Sequence, residues 1–324
     1  MLFLLAMASK ATEAVESPSS PSQLVTVQDD QGRFSPALPE DAEARGVELC
    51  RHLEAGNILF FPRTPFEISA SDRQTLLGQK QTTAAYHKNV AYRPAEDKVT
   101  GLDKSESRER EQLRAILRSY SEATVSLLRR LLPAYAGHWR LDYASYRPIE
   151  ERGRAARLHA RNDLCHVDSF PTRPTNGDRI LRFFSNINPS QSRVWLTAET
   201  FPCVAPRFAK SLGLPSAPGG PLRRVANALG IPPARRSPYD RFMHECHNAM
   251  KEDQRFQQES PKLRWEFPPG SSWMVFTDCV SHAVLEGQYA LEQTFIVSRH
   301  AMVSPELAPV AVLEKLAGHS LTLP

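Results

Sequence analysis

LCHVDSF, at residues 164–170, stands at the head of a region that reads as strands. RILRFFSNINP (179–189) and RVWLTAETF (193–201) follow it, separated by turn residues such as Pro171, Pro174, Asn176, Gly177 and Pro189. WRLDYASYRPI (139–149) precedes it, and SSWMVFTD (271–278), SHAVLEGQ (281–288) and ALEQTFIVSRHAM (290–302) come later. These segments alternate or run apolar over strand lengths, the pattern of an antiparallel β core. Two helical patterns stand before it. DAEARGVELCRHLEA (41–55) carries apolar positions at helical spacing, and 105–132 has a stripe of Leu113, Ile116, Leu117, Tyr120, Val125, Leu128 and Leu131 that Pro133 stops. ILFFP (58–62) reads as a short buried strand ended by proline. Residues 203–262 interrupt the β region, first with a Pro/Gly-rich stretch and then with the amphipathic YDRFMHECHNAMKEDQRFQQ (239–258).

The expected architecture is therefore mainly β with flanking helices: a double-stranded β-helix, or jelly-roll (cupin-like) core, split by a helical insertion. Residues 1–40, rich in Ser, Pro, Glu and Gln after an apolar start, read as a disordered leader. Residues 41–324 read as one domain, with a helical and strand part at 41–138, a barrel core at 139–202 and 263–310, and the insertion at 203–262.

Composition bounds the function. Of 324 residues, 41% are hydrophobic and 23% charged, enough apolar content for a large core. The formal net charge of +4 is small for this length and argues against a nucleic-acid binder. Five cysteines, with no CxxC pair, suit a reducing compartment better than a disulfide framework. No segment has transmembrane length, so a soluble, cytoplasmic protein is expected.

His166 and Asp168 lie two apart in an expected strand, and period two sends both side chains to one face. If that face lines the barrel, an imidazole and a carboxylate converge. A mononuclear iron(II) oxygenase needs that pair and one more imidazole, leaving half of the coordination sphere open. His282, between Val280 and Val284, is the candidate third ligand, although an isolated histidine is more often a core residue bonded to backbone. His244 and His247, three apart on the insertion helix, lack a carboxylate-bearing partner strand. His159 is an odd number of residues from His166 and should face away. Zinc hydrolysis is the rival chemistry and would need Glu286 or Glu292 as base. A 2-oxoglutarate enzyme also needs a cation for its co-substrate's distal carboxylate. Arg299, ending QTFIVSR, is the first choice and Arg182 the second.

DYASYRPIEERGRAARLHARNDLCHVDSFPTRPTNGDRILRFFSNINP (142–189), KNVAYRPAEDKVTG (88–101) and GSSWMVFTDCVSHAVLEGQYALEQTF (270–295) together resemble the hydroxylases of Kdo, 3-deoxy-D-manno-oct-2-ulosonic acid. The resemblance runs from about residue 50 to 310. It implies an Fe(II)/2-oxoglutarate-dependent dioxygenase that hydroxylates carbon 3 of Kdo to give Ko. The implied substrate is the Kdo-lipid A inner core of lipopolysaccharide, at the cytoplasmic face of the inner membrane. It also implies that His166 and Asp168 match the family's HxD and His282 its distal histidine, making these three the catalytic metal ligands; whether ascorbate is needed stays open. The anionic substrate points to Arg157, Arg161 and Arg173 as substrate-binding residues, with Arg154 near them. It also suggests that Arg223, Arg224, Arg235 and Arg236 belong to a lid touching the lipid headgroup or membrane surface. Two alternatives remain: another small-molecule 2-oxoglutarate hydroxylase, such as the phytanoyl-CoA type, and a non-catalytic cupin-like sugar-binding protein.

Overall fold

The computed structural model describes residues 22–79, 89–102, 107–214 and 236–323. Helix α1 (Ala42–Glu54) starts where the Asp41 carboxylate accepts the Ala44 N–H at 2.8 Å, as an N-cap should. A short helix α2 (Ala70–Leu77) follows strand β2 (Ile58–Phe61). The 25-residue α3 (Ser107–Leu131) buries the expected stripe except Val125, which is half-buried. These helices cover one face of an eight-stranded sheet in the order β1-β2-β9-β6-β11-β5-β3-β4. Its strands are β1 (Leu24–Thr26), β2, β3 (Val90–Arg93), β4 (Lys98–Thr100), β5 (Trp139–Arg147), β6 (Arg179–Asn186), β9 (Ser272–Phe276) and β11 (Ala290–Val297). Against the other face lies a smaller sheet in the order β10-β7-β8, from β7 (Arg193–Thr200), β8 (Leu263–Phe267) and β10 (Val280–Glu286).

The parity of each strand sorts its residues between two cores. Leu181, Phe183, Met274, Phe276, Leu291, Phe295 and Val297 face the helices in the large outer core. Phe184, Trp195, Phe267, Trp273, Val275, Val280 and Val284 face each other between the two sheets. Trp273 stacks on Phe267 at 3.9 Å between ring centroids, and on Phe184 at 5.2 Å. This aromatic plug fills one end of the space between the sheets and leaves the other end to polar side chains. The fold is the expected jelly-roll core with flanking helices.

Between β7 and β8 stand helices α4 (Phe201–Leu212), α5 (Pro238–Glu252) and α6 (Gln254–Glu259), so the split core carries a helical insertion. Helix α7 (Pro309–Ala317) packs on α4. Ser237 and Asp240 form a capping box that fixes where α5 begins. Arg223, Arg224 and Arg235 lie outside the described residues, and with them the expected lid.

The expected leader is corrected over its second half. Residues 22–40 are described, and β1 pairs in parallel with β2, from Leu24 opposite Ile58 to Thr26 opposite Phe60. The LVTV run has enough β-branched character to extend the sheet edge once Val27 is buried, a signal hidden among Ser and Pro. Residues 1–21 lie outside the described residues.

Candidate metal centre

LCHVDSF is not a regular strand. It touches the small sheet through one isolated bridge, in which His166 and His282 each donate a backbone N–H to the other's carbonyl, at 3.1 and 2.9 Å. Asp168 N–H donates to Thr277 O at 2.7 Å, and Val284 N–H to Asn162 O at 2.7 Å. The segment is thereby held extended along β10. Directly opposed residues project to the same side, so the two imidazoles emerge together. Their ring centroids are 4.9 Å apart. Asp168, two residues on, joins them: its Oδ1 is 3.8 Å from His166 Nε2 and its Oδ2 3.9 Å from His282 Nε2.

The hydrogen bonds behind the rings set their tautomers. His166 Nδ1 lies 2.7 Å from Leu164 O, and His282 Nδ1 lies 2.9 Å from Val280 O. A carbonyl can only accept, so each Nδ1 carries the proton and each Nε2 presents a lone pair to the cluster. Trp195 stacks on the His282 ring at 5.2 Å and fixes its plane. Burial keeps His166 and His282 neutral by pushing both below the usual imidazole range. Burial is the largest single influence on the Asp168 carboxyl and works to raise it, but Arg182, His282, His166 and Thr277 together outweigh it and hold the group well below the usual carboxylate range. Asp168 Oδ2 is buried and ion-paired to Arg182 Nη2 at 3.2 Å, but it accepts no hydrogen bond. Two neutral imidazoles with converging lone pairs and an ionised, under-satisfied carboxylate oxygen form a donor set that fits a divalent metal ion.

A third imidazole stands beside them. His247, on α5, offers a nitrogen within 4.8 Å of the ligand atoms of His166 and Asp168, and its ring lies edge-on to His166 at 4.7 Å. Its Nδ1 is 2.7 Å from Val167 O, so its Nε2 is also unprotonated. Sequence spacing gave it no partner because the carboxylate comes from Asp168, a contact made only when α5 packs on the HxD segment. His159 lies in a short turn rather than a strand. It lines the same cavity and pairs with Glu252 at 2.5 Å.

The cluster lies in a cavity of about 330 Å³ bordered by both sheets and α5. A larger hollow of about 950 Å³, near residues 28–32 and 63–77, shares no lining residue with it and contains no histidine or cysteine. Arg182 lines the metal-site cavity, but two carboxylates engage it. Its Nη2 lies 3.2 Å from Asp168 and its Nη1 3.2 Å from Glu292. Arg147 bonds Glu292 in turn, with Nε 2.8 Å from Oε2. Glu292 is therefore committed to two guanidiniums and is no general base for hydrolysis.

Arg299 is a correction. It follows β11 in a 3-10 turn, its N–H donates to Asp178 at 3.1 Å, and its guanidinium lies beside His300. Parity is the reason: Phe295 and Val297 face the helices, so a strand continued to 299 would have turned Arg299 away from the cavity. Arg157 is exposed, and Arg161 is spent on Asp163 at 3.0 Å. Arg173 bonds Asp142 and lies over Phe170 and Tyr143. None of these three lines the cavity.

The arginine that sequence reading missed is Arg193. It is 0% exposed, lines the cavity from β7, and uses Nη1 on Gly287 O at 2.9 Å. Its Nε and Nη2 have no hydrogen-bond partner among the described residues, and the nearest carboxylate, Glu151, is 3.9 Å away. Burial, with Arg147 nearby, brings it down to about 10, still charged at neutral pH.

Comparison with known proteins identifies the family. The family of 3-deoxy-D-manno-oct-2-ulosonic acid (Kdo) hydroxylases matches residues 38–320. The chain belongs to the Kdo hydroxylase family. Among solved structures it is similar to the Kdo hydroxylase KdoO, a non-haem Fe(II) alpha-ketoglutarate-dependent dioxygenase, in complex with alpha-ketoglutarate and Fe(III). That similarity has 33% identity and a TM-score of 0.79 over 93% of this chain and 98% of that one. The apo form of KdoO gives 34% identity and 0.79 over 94% and 98%. Its complex with succinate and Fe(III) gives 33% and 0.78 over 92% and 97%. Among curated protein sequences none matches. The fold, the enzyme class and the iron and 2-oxoglutarate requirement expected for a Kdo hydroxylase agree with these relatives. No described helix is long and apolar enough to cross a membrane.

Proposed function

We propose that this Kdo hydroxylase inserts one oxygen atom at carbon 3 of a Kdo unit carried on lipid A, converting it to Ko. Dioxygen supplies the atom, and 2-oxoglutarate is consumed to succinate and carbon dioxide. The observation that carries the reading is the convergence of His166, Asp168 and His282, which we assign as the iron ligands. The rigid bridge between 166 and 282 favours this set over one using His247, which is brought in on a helix. When bound, iron with 2-oxoglutarate supplies the dioxygen activation that side chains lack.

The remaining work falls to the chain. Backbone carbonyls hold both ligand imidazoles as Nδ1–H tautomers, and Arg182 keeps Asp168 ionised. Arg193 presents two unpaired N–H groups from the closed end of the cavity, and we assign it the distal carboxylate of 2-oxoglutarate. His247 offers a hydrogen-bond acceptor beside the reacting region. The aromatic plug of Phe184, Trp195 and Trp273 keeps water out from below. A substrate carried on lipid A requires the protein to work at a membrane surface.

The test is turnover by the purified protein. Succinate should form with iron, 2-oxoglutarate and Kdo-lipid A together, with a product heavier by one oxygen. His166→Ala should abolish it. Equal succinate formation without the Kdo substrate, or turnover of acyl-CoA compounds instead, would reject the assignment.

A further inference from the structure

Lys251 follows His247 by one turn of α5, so both side chains reach the same cavity. Lys251 is only 5% exposed. Its Nζ makes one hydrogen bond, to His159 O at 2.9 Å, although an ammonium has three to give. Among the described residues no carboxylate comes within 4 Å of it. Glu252, its neighbour in sequence, turns outward to His159. A buried, unpaired cation is costly, and burial has pulled this one down to about 8. The cavity therefore lacks an anion at this point.

Arg193 also leaves N–H groups without a hydrogen-bond acceptor, although Glu151 stands 3.9 Å from its Nη2, and the two cations differ in position. Arg193 has no exposed surface and sits against Gly287. Lys251 is bonded to His159, which with Ala160 forms an exposed rim. A small co-substrate can travel to the closed end. A sugar acid carried on a lipid is confined to the rim side of the cavity. Lys251 also acts electrostatically on His166 and Asp168, so it stands close to the metal cluster. In a 2-ulosonic acid the carboxylate is carbon 1, two bonds from carbon 3.

We propose that Lys251 binds the carboxylate of the Kdo unit and thereby sets carbon 3 before the metal centre. This rests on the function assigned above and names a positioning and specificity residue within it.

The experiment compares the full-length wild type with Lys251→Met, which keeps the length of the side chain and removes its charge. The apparent KM for Kdo-lipid A should rise about 10–100-fold, the loss expected for one charge-assisted hydrogen bond. Binding of 2-oxoglutarate to the cobalt-loaded protein, read by calorimetry, should keep its affinity. The ligand-free variant should melt at a higher temperature, because an uncompensated buried charge is gone. Kdo-lipid A with its Kdo carboxylate methyl-esterified should lower wild-type efficiency to that of the variant and leave the variant unaffected. A rise confined to the 2-oxoglutarate dissociation constant would overturn the proposal by giving Lys251 to the co-substrate. An unchanged KM with a lowered melting temperature would overturn it by making Lys251 structural. Wild type without any Kdo-dependent turnover would instead reject the underlying function, and this inference with it.

Discussion

Arg182 holds Asp168 across the site, with Nη2 3.2 Å from Oδ2 in a setting where both side chains are about one-eighth exposed. The same guanidinium reaches Glu292 at 3.2 Å. Removing it leaves two buried carboxylates short of a counter-charge. Arg182→Met should therefore destabilise the protein by roughly 3–5 kcal/mol, the usual cost of breaking a buried pair. It should also weaken iron binding, because Asp168 then takes up a proton more readily. Urea unfolding and a metal titration check the two effects separately, and an unchanged metal affinity would remove Arg182 from the site's electrostatics.

The choice of third ligand is decided by metal content. His282→Ala should purify with less than about a tenth of the wild-type iron, since two protein ligands rarely retain a divalent ion. His247→Ala should keep its iron. The reverse pattern would transfer the ligand role to α5.

Acid should unfold the metal-free protein through its histidines. Burial lowers His166, His282 and His247, the last to about 4, while the unfolded chain titrates near 6.5. The unfolded state then binds more protons, so stability is full above about pH 6.5 and falls as pH drops toward the folded values. Asp168 opposes this by favouring the charged rings, while Lys251 and Arg182 reinforce it. His247 alone should cost about 2 kcal/mol between pH 7 and pH 5. Thermal melts across that range, repeated on His247→Asn, should show a shallower acid slope in the variant.

The co-substrate arginine is tested by a pair of substitutions. Arg193→Met should raise the KM for 2-oxoglutarate about 10–100-fold. Arg299→Met should leave it unchanged, because Arg299 stands outside the cavity. Steady-state kinetics at saturating Kdo-lipid A make the comparison.

Gly287 is held at φ +118° with Arg193 pressed against it, so that an added Cβ would meet Arg193 Cα at 2.9 Å. Gly287→Ala should cost about 1–3 kcal/mol and push β7 away from the turn. If Arg193 serves the co-substrate, the same variant should also bind 2-oxoglutarate more weakly. Calorimetry on the cobalt-loaded protein reads this loss.

Much of the architecture is present in local sequence pattern. The stripe over 105–132 and the alternation in RILRFFSN and ALEQTFIV report burial directly, because a helix face or a strand face is written into consecutive residues. HxD is legible for the same reason: His166 and Asp168 are two apart, and an extended backbone is enough to put them together. β1 escaped because its burial comes from pairing with β2, not from its own composition.

The choice of cations was not legible locally. Arg299 shares the parity of Phe295 and Val297, and only the packed structure shows that this face of β11 meets the helices and not the cavity. Arg193, His247 and Lys251 belong to elements distant in sequence from His166, and nothing in their neighbours distinguishes them from a solvated arginine or an ordinary helix face. The sequence by itself determined the β-helix class, the helical insertion and the pair His166 and Asp168. Only the tertiary structure decided which charged groups are enclosed without partners, because the missing counter-charge is a property of the packed cavity and not of any stretch of chain.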